Sequence, residues 1–173
     1  KGVRFAGCAL YYGDTNTYIH TASAGIIGDV WFTGGTQLDG YMNKAINIVG
    51  NGSTIENVHF DNIYIRGVNG PVAVDISNTV GYTVQDILFD NCWLANITGI
   101  AIQSTSVEAV NINNCSFREV SNAAAMCVEY SGCTRFVFSN NSMVRDGSAF
   151  TNYFAQIESN CNYFTAVGNL GAG

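Results

Sequence analysis

The clearest feature of the chain is a short alternation of apolar and polar residues that starts, stops and starts again. Runs such as IENVHF, VAVDI and GIAI carry the two-residue period of a half-buried strand. Apolar residues spaced three and four apart over a long window, the mark of a helix, are missing. Asn, Gly, Ser and Thr fill the intervals. The pattern predicts many short strands joined by tight turns.

These runs recur at a fixed phase. VRFAGCAL, DVWFTGGTQL, NVHFDNIYI, DILFDNCWL, AVNINNCSF, FVFSNNSM and TAVGNL align without gaps, each with an apolar residue, a variable one, then Asn or Gly. The anchors are Gly7, Gly34, Asn62, Asn91, Asn114, Asn140 and Asn169, spaced by 27, 28, 29, 23, 26 and 29 residues with a mean of 27. A second motif lies 12 to 15 residues before most anchors: TYIH (17–20), INIV (46–49), AVDI (73–76), IAIQ (100–103), CVEY (127–130) and QIES (156–159). Such a period, with three short strands and no helix, predicts an all-β fold: a single-stranded parallel β-helix of about six to seven coils, with 1–173 as one domain. Leucine-rich repeats need Leu at fixed offsets, which are lacking here. A sandwich or propeller would not keep Asn or Gly at one phase of seven units. Neither end shows a capping helix or polar capping coil, so the chain is expected to be a piece of a longer protein, or to have its ends covered by partner chains.

Alternation then assigns faces. In NVHFDNIYI, Val58 and Phe60 point inward, and His59 and Asp61 point outward. Asn62 turns the corner in left-handed geometry, and Ile63 and Ile65 line the next strand. The anchor asparagines are expected to stack as a hydrogen-bonded ladder. Cys8, Cys92 and Cys115 directly follow anchors and read as small buried hydrophobes, the last two on neighbouring coils. Cys133 and Cys161 lie one coil apart at nearly one phase, close enough to pair if oxidised, although reduced thiols are the expected state. There is no CxxC pair, so no zinc site, other metal or cofactor is expected.

Charge narrows the classes of partner. With 7 basic against 13 acidic residues and a net charge of −6, no basic cluster exists to neutralise phosphates, which excludes nucleic acid. Polar residues interrupt every apolar stretch, so no transmembrane helix fits and no membrane insertion is expected. What remains for the outward strand faces is amides, hydroxyls and aromatics. Such a surface suits sugars or sister subunits.

The motifs NVHFDNIYI, DILFDNCWL and AVNINNCSF resemble the coils of the pectate-lyase-like right-handed parallel β-helix superfamily. Within it, the Asn-, Tyr- and Gly-rich, Lys-poor sequence is most similar to the β-helix of a bacteriophage tailspike or tail fibre. The resemblance implies a homotrimer at the virion tail, acting at the outer surface of the host bacterium. It also implies binding of a capsule or lipopolysaccharide O-antigen, often with cleavage by paired carboxylates. Other readings are a non-enzymatic receptor-binding or shaft segment, and a cellular, secreted polysaccharide lyase or pectinase-like hydrolase. No local motif of the superfamily marks catalytic residues, so they are sought from chemistry.

Glycoside hydrolysis needs two carboxyl groups about 5 Å apart for retention, or roughly 6.5–9.5 Å apart for inversion. Strands stacked every ~4.8 Å bring outward acids on nearby coils into that range. Glu129 and Glu158 follow the inward Val128 and Ile157, so they are expected to stack on successive coils, with Gln103 one coil before. Asp75 shares their face two coils earlier, in shifted register. Asp61 and Asp90 precede anchors and are expected to accept backbone N–H bonds at a corner. His20 and His59 are too far apart in phase for a Ser-His-Asp arrangement. For sugar binding, Tyr64 and Trp93 share an outward phase on adjacent coils, and Trp31 with His59 forms a second outward pair. Arg66 and Arg118 project from the same strand position, suited to surface ion pairs or an acidic sugar. Tyr11, Tyr12 and Tyr18 fall in what reads as a long first turn.

Overall fold

The computed structural model describes residues 2–11, 13–20, 25–52, 54–79, 83–120, 126–144 and 153–171. Three parallel sheets form, and the chain visits them in the repeating order A, B, C. Sheet A holds Val3–Ala6, Val30–Thr33, Thr54–Asp61, Val84–Asp90, Glu108–Asn113, Val137–Ser139 and Thr165–Val167, with Ile26–Ile27 also paired to Thr54–Asp61. Sheet B holds Ala9–Tyr11, Gln37–Met42, Tyr64–Val68, Trp93–Ile97, Ser116–Val120, Ser142–Val144 and Leu170–Gly171. Sheet C holds Thr15–His20, Lys44–Gly50, Val72–Asn78, Ile100–Thr105, Met126–Ser131 and Tyr153–Ile157. Each strand pairs with its counterpart one coil away. This is the expected parallel β-helix. About five full turns form in place of the expected six to seven, because the terminal coils are incomplete and the eighth strand of sheet A, Ile26–Ile27, is an extra segment of an existing coil.

The inward side chains stack by kind along the axis. In sheet A, Phe5, Phe32, Phe60 and Phe89 form a column with successive ring centroids 4.6, 5.0 and 4.7 Å apart and planes within 15°. Each such pair contributes about 0.5–1.5 kcal/mol beyond its buried area. Leu38, Ile65, Leu94 and Phe117 make the corresponding column in sheet B, and Ile19, Ile48 and Ile76 begin one in sheet C. Parallel pairing in register leaves like side chains one strand spacing apart over several coils, until Ile112 follows Phe89 in sheet A and Ser104 follows Ile76 in sheet C.

The corner between sheets A and B is where the anchors sit. Gly7, Gly34, Asn62, Asn91, Asn114 and Asn140 all have φ between 51° and 67°. In the last coil Ser139 pairs with Val167, so the left-handed residue is Gly168 (φ 68°), and Asn169 lies one position further on. The expected ladder also moves by one residue. The anchor asparagines are exposed, and Asn91 and Asn114 donate instead to the Asp90 carboxylate. The buried ladder is formed by the next position. There, the Cys115 N–H donates to Asn141 Oδ1 at 2.9 Å, and the Asn141 amide donates to Ile112 O and Asn169 Oδ1. Asn169 in turn donates to Phe138 O.

Cysteines occupy the same inward position on earlier coils and do the same job more weakly. The Cys92 thiol reaches Phe60 O at 3.2 Å, and Cys115 reaches Phe89 O at 3.7 Å. At the corner between sheets C and A, Cys133 and Cys161 donate to Ser104 O and Tyr130 O. They stack on adjacent coils as separate thiols, and all six cysteines are free. A further left-handed step, unsuspected from the motif, recurs before or within the sheet A strands of six coils at Asp29, Asn57, Asp86, Ala109, Arg135 and Tyr163, with φ of 52–56°. Asn and Asp adopt this geometry readily, but each of the others costs about 1–2 kcal/mol.

Candidate functional site

The outward face of sheet B carries two rows of side chains. One row runs Ala9, Gln37, Tyr64, Trp93, Ser116 and Ser142; the other runs Tyr11, Asp39, Arg66, Ala95, Arg118 and Val144. Tyr64 and Trp93 therefore sit on adjacent coils at one phase, as their spacing implied. Their ring centroids are 5.6 Å apart and their planes meet at 70°, an edge-to-face pair that leaves a ring face open. Tyr64 is 41% exposed, so its ring is accessible from solvent beside Trp93.

Beside these rings, the Asp39 carboxylate accepts from Arg66 Nε at 3.1 Å and also from Nη2. A backbone bond from the Gly40 N–H at 2.7 Å holds the same carboxylate from the other side. The Arg66 hydrogen bonds hold the Asp39 carboxyl below its ordinary range, against a smaller opposing effect of burial. Tyr11 donates its hydroxyl to Gln37 Oε1 at 3.2 Å. Gln37, Asp39, Tyr64, Arg66 and Trp93 together line a cleft of about 110 Å³. Ala95, between Arg66 and Arg118 in the same row, is 1% exposed although it faces outward.

Sheet C presents a polar row instead. Tyr18, Asn47, Asp75, Gln103, Glu129 and Gln156 follow one another in register. This corrects two expectations. Asp75 is not shifted but lies in the same row as Glu129, and Glu129 faces Gln156 rather than Glu158. Glu158 belongs two residues further along, where its N–H donates to Tyr130 O. Each acid already has a partner: Gln103 donates to Glu129 at 2.7 Å, Gln156 donates to Glu158, and Lys44 Nζ lies 2.5 Å from Asp75. Glu129 and Glu158 thus do not form a stacked carboxylate pair.

On sheet A, Trp31 and His59 stack with centroids 4.0 Å apart, as their phase implied, and His59 Nε2 bonds to Asn57 Oδ1 at 2.6 Å. Burial holds the imidazole below its ordinary value of 6.5, outweighing the upward pull of Asp29, Asp61 and Asp86. One face of its ring is taken by Trp31, which is itself 37% exposed. Asp61 and Asp90 do stack at the corner, but Asp90 accepts from asparagine side chains, not the backbone. Tyr11 ends a strand of sheet B and Tyr18 lies within sheet C beside His20, so they share no long turn; Tyr12 lies outside the described residues.

No protein-family model, curated protein or solved structure matches the chain. Gln37 and Asp39 complete the sheet B cleft and escaped the sequence reading, while Tyr11 holds Gln37 from the coil before. The second coil turns its corner with Gly34, Gly35 and Thr36, where the third uses only Asn62 and Ile63. That extra residue displaces Gln37 from the phase of Tyr64. An aromatic edge-to-face pair, an amide and an ion pair on one flat face give ring stacking beside fixed hydrogen-bond donors and acceptors. This is the chemistry of a saccharide surface, whose apolar ring faces and hydroxyls need both.

Proposed function

We propose that this β-helix is a polysaccharide-binding domain of the tailspike or tail-fibre type, and that sheet B is its binding face. The observation that carries the reading is the cleft formed by Tyr64, Trp93, Gln37, Asp39 and Arg66. Sugar rings stack on the two aromatics, while Gln37 and the Asp39–Arg66 pair read hydroxyls. The setting, a homotrimer on a virion tail engaging a bacterial capsule or O-antigen, is supported by the coil resemblance. Binding is tested by affinity electrophoresis through gels containing purified bacterial surface polysaccharides. Trp93→Ala and Tyr64→Ala should each weaken retardation about tenfold in affinity, the effect of losing one well-placed aromatic contact. Unchanged retardation by both variants would remove sheet B from the account.

A second reading adds endo-glycosidic cleavage on sheet C. It is favoured by the row in which Asp75 and Glu129 are separated only by Gln103. Two strand spacings put their backbones about 9–10 Å apart, near the separation of an inverting pair. Glu158, in the neighbouring row, is the weaker candidate. Glu129→Gln and Asp75→Asn should each abolish the release of new reducing ends while leaving sheet B binding intact. Cleavage that survives both substitutions excludes this pair.

A further inference from the structure

Among the described basic residues, all but one have a polar partner. Arg4 donates to Thr33, Lys44 pairs with Asp75, Arg66 with Asp39, and Arg135 with Glu108. Arg118 is exposed and has no ion pair among the described residues, not even with Glu119 beside it in sequence. It lies one coil beyond Trp93 and two residues further along the strand, because Trp93 pairs with Ser116. One strand spacing and two residues of rise place their backbones about 8 Å apart. Arg118 therefore stands at the edge of the aromatic cleft, with the flat, covered Ala95 between it and Arg66.

The distribution of charge around the coil sharpens the point. Asp39 is the only acid in the two outward rows of sheet B, and Arg66 already neutralises it. The strands of sheet A, by contrast, carry Glu56, Asp61, Asp86, Asp90 and Glu108. The net charge of the chain is −6, yet the row from Tyr11 to Val144 carries Asp39, Arg66 and Arg118, a net of +1, with Glu119 the one further acid in the sheet B strands. Screening confines the effect of the acids on the other sheets to about 10 Å at 0.1 M salt, so a ligand in the row of Arg66 and Arg118 meets mainly Arg118, with Glu119 outside that row. An unpaired guanidinium offers a flat fork of donors suited to a carboxylate.

We infer that the saccharide taken by sheet B is anionic, a polymer with carboxylated sugars, and that Arg118 receives the carboxylate while Tyr64 and Trp93 hold the ring. This rests on the reading of sheet B as a sugar-binding face. The Asp39–Arg66 pair, already mutually neutralised, is left to read hydroxyls.

The test uses polysialate, hyaluronate and alginate, each beside its carboxyl-reduced, neutral counterpart, with affinities measured by calorimetry at 50 and 300 mM NaCl. The inference expects at least one carboxylated polymer to bind, about tenfold more tightly than its reduced form and more weakly at high salt. Arg118→Gln should bring its affinity down to that of the reduced polymer, Arg118→Lys should retain part of it, and Trp93→Ala should weaken binding to both forms. If neutral polymers bind as tightly as charged ones and Arg118→Gln changes nothing while Trp93→Ala still weakens binding, the anionic assignment fails and sheet B remains a sugar face. If no polymer binds the parent better than a Tyr64→Ala, Trp93→Ala double variant, both fail together.

Discussion

Asn141 is the residue whose removal the fold should feel most clearly through hydrogen bonding alone. It is 1% exposed, accepts the Cys115 N–H, and donates to Ile112 O and Asn169 Oδ1. Asn141→Ala strands two backbone groups away from water. An unsatisfied buried group costs about 1–3 kcal/mol, with the carbonyl at the low end because it has a second lone pair. The expected loss is about 3 kcal/mol. Asn141→Cys copies the solution used at Cys115, where a thiol meets the carbonyl of the preceding coil. It should recover the carbonyl but not the N–H, and so about half the loss. Urea unfolding followed by circular dichroism should show Asn141→Ala shifted down by roughly 1.5 M, taking a slope near 2 kcal/mol per M. Because solenoids can open from one end, amide exchange at Cys115 supplies a local readout. A midpoint within about 0.2 M of the parent, with Cys115 still protected, would refute the reasoning.

Other substitutions separate the remaining effects. The Tyr130 hydroxyl is fully buried with no hydrogen-bond partner among the described residues, so Tyr130→Phe should be neutral or stabilising by about 1 kcal/mol; a lower melting temperature would count against it. The Asp39 carboxyl titrates below its unfolded value of 3.8 because Arg66 holds it, so its contribution is present above that value and lost as pH falls through the folded one. Asp39→Asn should therefore melt below the parent at pH 7, with the gap closing on the acid side of 3.8; an equal gap at pH 2.5 would point to packing instead. Burial pushes the Cys92 and Cys127 thiols well up and Cys133 up to about 11, whereas Cys8 is only half-buried. An aromatic disulfide reagent at pH 8 should find one fast thiol in the native protein and six in denaturant.

The repeat was legible because it depends on a few residue types with strong local reasons. Asn62, Asn91, Asn114 and Asn140 stand where the backbone must go left-handed, and few residues tolerate that. The slip at Glu158 was not legible for an equally physical reason. A shift of one residue would turn side chains to the wrong face, but a shift of two preserves the face. Gln156 and Glu158 are thus equivalent in the sequence pattern, and only the pairing of Glu129 with Gln156 decides between them. Asn169 was misplaced because Gly168 tolerates the left-handed step as well. The kinks at Ala109, Arg135 and Tyr163 leave no compositional trace, since the stacked coils impose a geometry their own residues disfavour. In the candidate site, Tyr64, Trp93, Arg66 and Arg118 followed from phase, while Gln37 and Asp39 were hidden by the extra corner residue.

The three sheets also give the molecule a mechanical direction. Every strand pair is parallel and stacked one coil on the next, so the backbone hydrogen bonds point along the axis. A pull along that axis loads the few bonds of one strand layer at a time, and coils should peel from an end in sequence. A push along the same axis closes those bonds, and the phenylalanine column resists it in contact. Bending must stretch one sheet while it compresses the others. A rod built this way bears thrust and resists buckling far better than it bears tension.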